Sequence, residues 1–315
     1  MTSLPAPTTD AAASGGAASV PPLGLLLDVD GPIASPVTRR IAIQGILDDL
    51  VALTAAGVPI AFITGRSDAF IRDQVIVPLL ANGLADALAQ PGARMFAVFE
   101  KGAAWSTVSS EGLGEVEVDS SVAPPAALVD EIRELVAPGS PSGFGDTMFF
   151  DETKRAMISV EQRTDVSHAD YLASQGPFND QAFAIVAKHG LGVRLGDREQ
   201  PDAAGSVPFR LDATIISTDI ESVLLDKDRG AERALEHFEG SGPLPRVWRS
   251  VGDSRSDYLM ADHLHEAGFD VAHVDVRPAD GILDRPYEII VEGDLIHDEA
   301  GAAFLRYWVD KLGLR

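Results

Sequence analysis

The sequence predicts an α/β fold with a doubly wound parallel sheet and an inserted α+β domain. Leu23–Asp30 and Val58–Thr64 are almost continuously apolar, which is typical of strands buried on both faces. Segments with helical apolar spacing separate such runs, so strands and helices alternate along the chain. The alternation loosens between about residues 103 and 220 and resumes afterwards, which favours an insertion over a tandem second domain.

The first half of the sheet is predicted from apolar runs and from the residues that end them. After the first strand, Val37–Ala56 has helical spacing and Gly57 ends it. A second helix is predicted from Ser67 to Ala81, after the second strand. Arg94–Glu100 is apolar enough to form a third buried strand.

The elements of the inserted region and of the second half of the core are predicted from the same kinds of pattern. Thr147–Phe150 and Ala156–Glu161 flank a polar turn and indicate a hairpin. The remaining predicted elements are a helix over 167–189, short strands near 191–196 and 211–217, strands at Arg246–Asp253, Asp270–Val276 and Tyr287–Glu292, and helices at about 228–239, 256–267 and 298–313. The predicted division is a disordered leader over 1–22, a core formed by 23–102 and 221–315, and an inserted domain over 103–220.

Composition excludes several classes of protein. The chain has 315 residues, 45% of them apolar and 23% charged, as in ordinary globular proteins. It has no cysteine, which excludes disulfides, thiolate metal sites and cysteine nucleophiles. No apolar run is long enough to span a membrane. The leader has no lysine or arginine and resembles no signal peptide, so we expect a cytoplasmic protein.

The charge of the chain restricts its partners. A formal net charge of −23 disfavours nucleic acid and anionic membranes. An anionic small molecule would also be repelled at long range. Its binding site would therefore need its own cations or a bound metal. The charge says nothing about the oligomeric state.

Asp28 and Asp30 end the first predicted strand, and Gly31 follows them. Side chains two apart in a strand point to the same side, so the two carboxylates would share one crevice. Such a pair suits a nucleophile beside a general acid/base, or ligands for a hard cation. The chain has 48 acidic residues, so a solvated strand end accounts for this segment alone at least as well.

Thr64, Gly65 and Arg66 follow the second strand and precede a helix. A hydroxyl, free backbone N–H groups and a helix N-terminus together form a phosphate cradle. An ordinary capped turn is the alternative.

Two further polar segments come later in the chain. Lys227 opens a predicted helix, where a cation opposes the helix dipole. This placement invites a functional reason, although a solvated surface lysine is the simpler interpretation. Asp253 and Asp257 flank the turn after a predicted strand, where carboxylates either bind Mg²⁺ or cap the next helix.

The four segments, in this order, resemble the haloacid dehalogenase (HAD) superfamily and its Mg²⁺-dependent phosphatases. The resemblance implies a HAD-like Rossmannoid core and covers roughly residues 23–293. The insertion is similar to the large α+β cap of the Cof-like, trehalose-phosphatase and sucrose-phosphatase branch. In a hairpin similar to that of its sugar-phosphate phosphatases, Lys154 matches the lysine that faces the substrate.

The resemblance also implies a role for each matching residue. Asp28 would attack phosphorus and form an aspartyl-phosphate, and Asp30 would act as general acid and then as general base. Lys227 would offset the charge of Asp28 and of the phosphoryl group. The remaining implied residues are Thr64, Gly65 and Arg66 for the phosphoryl oxygens, Lys154 for the substrate, and Asp28, Asp30 through its main-chain carbonyl, Asp253 and Asp257 for Mg²⁺.

Two positions depart from the family pattern. Pro32 stands where threonine or a small apolar residue is usual, and it removes a backbone donor. Lys101 stands where the branch often has asparagine. Neither position is among the residues with implied catalytic roles.

The sequence therefore predicts a Mg²⁺-dependent phosphatase for a small phosphorylated metabolite, with a sugar phosphate favoured by the cap type. A sugar phosphomutase of the same branch would share the aspartyl-phosphate but would require a bisphosphate activator. A catalytically idle metabolite-binding or regulatory protein on the same fold is the third hypothesis, although the full set of acids and Lys227 has no chemical purpose there.

Overall fold

The computed structural model describes residues 20–315, so residues 1–19 of the predicted leader lie outside the described residues. The strands, in chain order, are β1 (Gly24–Leu27), β2 (Ile60–Ile63), β3 (Met95–Phe99), β4 (Ala104–Ser109), β5 (Gly112–Leu113), β6 (Glu117–Val118), β7 (Met148–Phe150), β8 (Ile158–Gln162), β9 (Val193–Leu195), β10 (Arg198–Gln200), β11 (Phe209–Ala213), β12 (Ser217–Ser222), β13 (Val247–Gly252), β14 (Asp270–Asp275) and β15 (Glu288–Ile290).

Helices connect most of these strands. They are α1 (Gln44–Ala55), α2 (Asp68–Ile71), α3 (Val77–Ala81), α4 (Leu84–Leu88), α5 (Ala126–Leu135), α6 (His168–Lys188), α7 (Lys227–Ser241), α8 (Tyr258–Glu266) and α9 (His297–Lys311), with a π-helical turn at Arg72–Ile76 joining α2 to α3. None of the helices in the described part of the chain combines the length and the apolarity needed to cross a membrane.

The larger sheet has the order β15-β14-β13-β1-β2-β3-β4-β5, with β6 beside β4. The strands from β15 to β3 are all parallel, and β4 runs antiparallel to β3. Leu25 and Leu27 pack with α1 and α9 on one face, whereas Leu26 packs with α7 and α8 on the other. Helices therefore cover both faces, and the predicted doubly wound α/β core is confirmed.

The smaller sheet has the order β10-β9-β11-β12-β8-β7. The predicted hairpin is present, since β7 pairs antiparallel with β8. One face of this sheet packs on α5 and α6 through a second hydrophobic core that includes Ile158, Val160 and Phe178. We refer to this sheet and its two helices as the cap. The opposite face is polar and lies toward the core.

Two boundaries differ from the prediction. Helix α1 begins at Gln44 rather than at Val37, because Arg39 adopts a left-handed conformation with φ 54°. Val37 is 88% exposed, so it does not extend the buried stripe of the helix. The segment over 104–118 pairs with β3 and belongs to the larger sheet, so the polar cap sheet comes after it rather than from residue 103.

Helix α9 lies unusually close to the loop that follows Asp30. A Cβ added at Gly301 would lie 1.9 Å from the carbonyl oxygen of Pro32, which is backbone and has no room to move aside. We expect Gly301→Ala to lower the free energy of unfolding by about 1–3 kcal/mol, as overpacking does. Urea unfolding measures this.

The matched control for that change is Gly240→Ala. Gly240 lies near the end of α7, and nothing lies within 4 Å of an added Cβ. Because alanine has the higher helix propensity, this variant should be neutral or more stable by up to about 1 kcal/mol. Equal effects of the two substitutions would contradict the close approach.

Candidate active site

The predicted site residues meet at the carboxyl edge of the parallel sheet. Asp28 follows β1, Thr64 follows β2 and Asp253 follows β13. The three strands are neighbours, with Leu27 in register with both Phe62 and Val251. Their carboxyl ends therefore lie side by side, which is where ligands of open α/β sheets bind.

Lys227 joins two of the acids in a buried cluster. Its Nζ lies 2.5 Å from Oδ1 of Asp28 and 2.7 Å from Oδ1 of Asp257. It also donates to the main-chain carbonyl of Ile63 at 2.8 Å. Lys227 is only 6% exposed, so the solvated surface lysine considered from the sequence is wrong. The unfavourable position of the cation at the start of α7 is offset by two carboxylates.

The electrostatics of the cluster follow from burial and pairing. Burial lowers the pKa of Lys227, but Asp257 and Asp28 raise it more, so it stays above its ordinary value. Burial and the neighbouring Asp257 raise the pKa of Asp28, against the opposing effect of Lys227. The pKa of Asp257 is lowered, because Lys227 and the hydroxyl of Ser254 outweigh its burial.

Asp257 also fixes the turn after β13. Its Oδ2 accepts hydrogen bonds from the backbone N–H groups of Asp253 at 3.1 Å and Ser254 at 2.9 Å. The Ser254 hydroxyl donates to the same oxygen at 2.7 Å. Both oxygens of Asp257 are thus engaged within the protein. The predicted cap of the next helix is present, and Asp257 takes part in it.

Three carboxylates converge where the resemblance predicts a metal. One oxygen from each of Asp28, Asp253 and Asp257 lies within 4.8 Å of the others. Among the described residues, the nearest basic side chains to Asp253 are Arg277 and His297, both at 3.8 Å, which is too long for a hydrogen bond. Asp253 therefore keeps oxygens free for a ligand. Hard oxygen donors of this kind fit Mg²⁺.

Asp253 should destabilise the metal-free protein at neutral pH. Burial and Asp257 raise its pKa to about 6, from an ordinary value of 3.8. A carboxyl group whose pKa is higher in the folded than in the unfolded state lowers the free energy of unfolding. The loss is complete above the folded-state pKa and absent below the unfolded-state pKa. We therefore expect Asp253→Asn to stabilise the protein in EDTA by up to about 3 kcal/mol at neutral pH.

Thermal and urea unfolding between about pH 4 and pH 8 tests this expectation. The gain in stability from Asp253→Asn should shrink as the pH falls from the folded-state pKa of about 6 to the ordinary value of 3.8. Mg²⁺ should stabilise the wild type and not the variant, because the variant lacks a charged ligand. A variant that is less stable than the wild type in EDTA at neutral pH would contradict the argument.

The turn after β2 joins a buried strand to a helix, as predicted. The Thr64 side chain is buried and its Oγ1 accepts a hydrogen bond from the Arg66 backbone N–H at 3.0 Å. The Arg66 guanidinium makes a two-pronged contact with Asp30, with Nε–Oδ2 at 3.0 Å and the second contact at 3.1 Å. Arg66 thus lies at the site as predicted, and Asp30 is its partner there.

The cap contributes Lys154 to the same site. Its Nζ donates to the carbonyl oxygen of Gly65 at 2.7 Å, so the cap lysine reaches the predicted phosphate loop. Among the described residues no carboxylate lies within 4 Å of this ammonium group. Lys154 is the cation of the site with the least internal neutralisation.

A cavity of about 210 Å³, partly open to solvent, lies between core and cap. Its lining residues are Asp28, Asp30, Thr64, Gly65, Arg66, Lys101, Lys154, Ser159, Glu161, Thr214, Ile216, Ser217, Asp219, Lys227 and Ser254. The predicted catalytic and phosphate-binding residues thus line one cavity together with polar residues of the cap.

Two residues after β3 make further contacts between core and cap. Glu100 is fully buried and accepts hydrogen bonds from the backbone N–H groups of Arg155 at 2.8 Å and Ala156 at 2.9 Å. Lys101 Nζ contacts Asp212 at 2.9 Å and Glu221 at 2.8 Å. The φ angles of Glu100 and Lys101 are 50° and 56°, a left-handed pair that aims both side chains at the cap.

Sequence reasoning missed the polar residues that the cap places in the cavity. Ser159 and Glu161 alternate with the buried Ile158 and Val160 along β8. This two-residue period was the available signal, since it marks a strand with one apolar and one polar face. The partner strand β12 and the direction of its polar face have no comparable local signal.

Comparison with protein-family models and with curated proteins gives no match. Solved structures do match. A haloacid dehalogenase-like hydrolase from Bacteroides thetaiotaomicron aligns with a TM-score of 0.54 at 13% identity, over 90% of this chain and 98% of the other. A Thermoplasma acidophilum protein aligns with a TM-score of 0.52 at 13% identity, over 94% and 100% of the two chains.

The C-terminal domain of a Candida albicans trehalose synthase regulatory protein aligns with a TM-score of 0.52 at 9% identity, over 91% and 93% of the two chains. Together with the observed sheet and cap, these likenesses define a capped, doubly wound α/β protein. Within that class the chain has the fold of the haloacid dehalogenase-like hydrolases, as the sequence predicted.

Proposed function

We propose that this protein is a Mg²⁺-dependent phosphomonoester hydrolase that acts on a small phosphorylated metabolite, with a sugar phosphate as the expected substrate. The observation that carries the proposal is that Asp28 lies beside both Lys227 and the carboxylate of Asp253, and lines a cavity that the cap lysine Lys154 also lines. A nucleophile and a charge-offsetting lysine in one cavity, with a hard-cation site beside them, suit phosphoryl transfer.

In the first step a carboxylate oxygen of Asp28 bonds to phosphorus while the bond from phosphorus to the leaving oxygen breaks. Asp30 gives its proton to that leaving oxygen. In the second step water attacks the phosphorus, Asp30 takes a proton from the water, and the bond from phosphorus to Asp28 breaks. Lys227 stays beside Asp28 throughout and offsets its charge.

The contact between Arg66 and Asp30 assigns a further role. The guanidinium engages both carboxylate oxygens of Asp30, which leaves neither of them free to give a proton to a leaving group. The first step needs a protonated Asp30. Arg66 therefore turns from Asp30 to the phosphoryl oxygens when substrate enters, which is the binding role predicted for it.

Mg²⁺ would be held by Asp28, Asp253 and the main-chain carbonyl of Asp30, with Asp257 supporting the turn. When bound, the ion supplies positive charge next to the phosphoryl oxygens. Together with Lys154 it offsets the repulsion between an anionic substrate and a chain of net charge −23.

The test is phosphate release from a panel of sugar phosphates and other phosphomonoesters, with Mg²⁺ or with EDTA. We expect turnover that requires the metal and is absent from an Asp28→Asn variant. Turnover that appears only with a bisphosphate activator would favour the mutase. Tight binding of a metabolite by the folded, Mg²⁺-loaded protein without any turnover would favour the idle binding protein.

A further inference from the structure

The cap face that closes the cavity is lined by acids and hydroxyls. Strands β8 and β12 pair antiparallel, with Glu161 opposite Ser217 and Ser159 opposite Asp219. All four side chains line the cavity, so they form a square of two carboxylates and two hydroxyls. A substrate whose phosphoryl group sits at Asp28 would present its leaving group to this square.

Most cations around the cavity are already neutralised. Lys227 is paired with Asp28 and Asp257, Arg66 with Asp30, and Lys101 with cap acids. Within residues 20–315, the ammonium group of Lys154 has a single partner, a carbonyl oxygen of the predicted phosphate loop. The ammonium group is therefore placed for the phosphoryl group rather than for the leaving group.

The carboxylate of Glu161 is free to accept hydrogen bonds from a ligand. It is half-buried, lines the cavity and accepts no hydrogen bond from the described residues. Its charged neighbours are the cations Arg66 and Lys154 and the acids Asp151 and Asp219. Burial raises the pKa of Glu161, against the effect of Arg66. By contrast, Asp219 already accepts a hydrogen bond from Ser159 at 2.6 Å.

We propose that the square around Glu161 is a leaving-group subsite that selects neutral or cationic groups rich in hydrogen-bond donors, such as a polyol or an amino sugar. The inference rests on the proposed function and names the substrate class. Hydroxyl or ammonium donors satisfy the free carboxylate, whereas a carboxylate or a second phosphate in the leaving group would face two like charges. A bisphosphate, as a mutase requires, is thereby disfavoured.

The test compares kcat/KM across phosphomonoesters that differ in one group. A six-carbon series is glucosamine 6-phosphate, glucose 6-phosphate and 6-phosphogluconate. A three-carbon series is glycerol 3-phosphate and 3-phosphoglycerate. We expect the neutral and amino members to exceed the acidic member by about 10-fold to 100-fold, as for loss of a hydrogen bond to a charged group.

Glu161→Gln should reduce the preference for neutral and amino members at least about fivefold, because it removes the charge and keeps the shape. Glu152→Gln is the matched control, since Glu152 is an exposed cap residue paired with Arg133. It should leave the preference unchanged. Thermal unfolding of both variants checks that the cap remains folded.

The possible results separate this inference from the proposed function. Absence of turnover on every phosphomonoester would overturn the proposed function itself. The selectivity inference alone would be overturned by any of three results: hydrolysis with no preference against the acidic members, a preference that Glu161→Gln leaves intact, or turnover confined to acidic esters.

Discussion

Asp28→Asn is expected to reduce the rate of phosphate release by about 10⁴-fold or more, as removal of a nucleophile does. The amide has nearly the same shape as the carboxylate, and its carbonyl oxygen can still accept from Lys227, which lies 2.5 Å from Asp28 Oδ1. It cannot form the acyl-phosphate bond. Single-turnover phosphate release with the best substrate of the panel measures the loss directly.

The control for this variant is Asp48→Asn, which changes an exposed acid on α1 that pairs with Gln44 and Asn82. It should keep the activity of the wild type. Thermal unfolding of both variants separates a chemical defect from a folding defect. An Asp28→Asn protein that is folded and retains activity within tenfold of the wild type would remove Asp28 from the role of nucleophile.

Lys227→Met is expected to lower the free energy of unfolding by about 3–5 kcal/mol at neutral pH, the usual cost of breaking a buried ion pair from one side. Methionine fills much of the same space without the charge. Asp28 and Asp257 would then face each other without the ammonium group that lies 2.5 and 2.7 Å from them. The same change should abolish activity, because the charge beside the nucleophile is lost.

The dependence of this loss on pH has a definite sign. Without Lys227, the folded-state pKa of at least one of the two carboxyl groups rises above its unfolded value. The resulting cost is present above the folded pKa and disappears as the pH falls below the unfolded one. Urea unfolding at several pH values should therefore show a deficit that shrinks in acid.

Two further variants sharpen the measurement. Lys227→Met combined with Asp257→Asn should recover part of the lost stability, since one of the two unpaired charges is gone. Lys188→Met, at an exposed cap lysine paired with Glu131, should change stability by less than about 1 kcal/mol. A deficit that is independent of pH and unaffected by Asp257→Asn would show that packing, not charge, explains the loss.

The parts of the site that could be predicted from sequence are local or follow strand order. Asp28 and Asp30 end an apolar run that predicts a buried strand, and the turn at Thr64 follows the next strand. Parallel neighbours bring their ends together without further information. Lys227 is also recognisable, because a cation at a helix start is unfavourable there and needs compensation.

The contacts that could not be predicted join segments far apart in the chain. Arg66 contacts Asp30, although 36 residues separate them, and Lys101 contacts cap acids more than 100 residues later. The first pair depends on how two side chains are oriented at neighbouring strand ends of the core. The pairs of Lys101 depend on how the cap seats on the core. The left-handed conformation of Glu100 and Lys101, just before Gly102, could not be predicted either, because non-glycine residues rarely adopt it.

The ion pairs that Lys101 makes across the interface limit how freely domains of this fold could be exchanged. A chimera that carried this cap on another core with asparagine at this position would leave Asp212 and Glu221 without the lysine that neutralises them. Arg210 would remain as a partner of Glu221 from within the cap, but Asp212 has no such substitute at hydrogen-bond distance in the described residues. Core and cap of this protein are therefore a matched pair, and a recombinant that transfers the cap should transfer Lys101 with it.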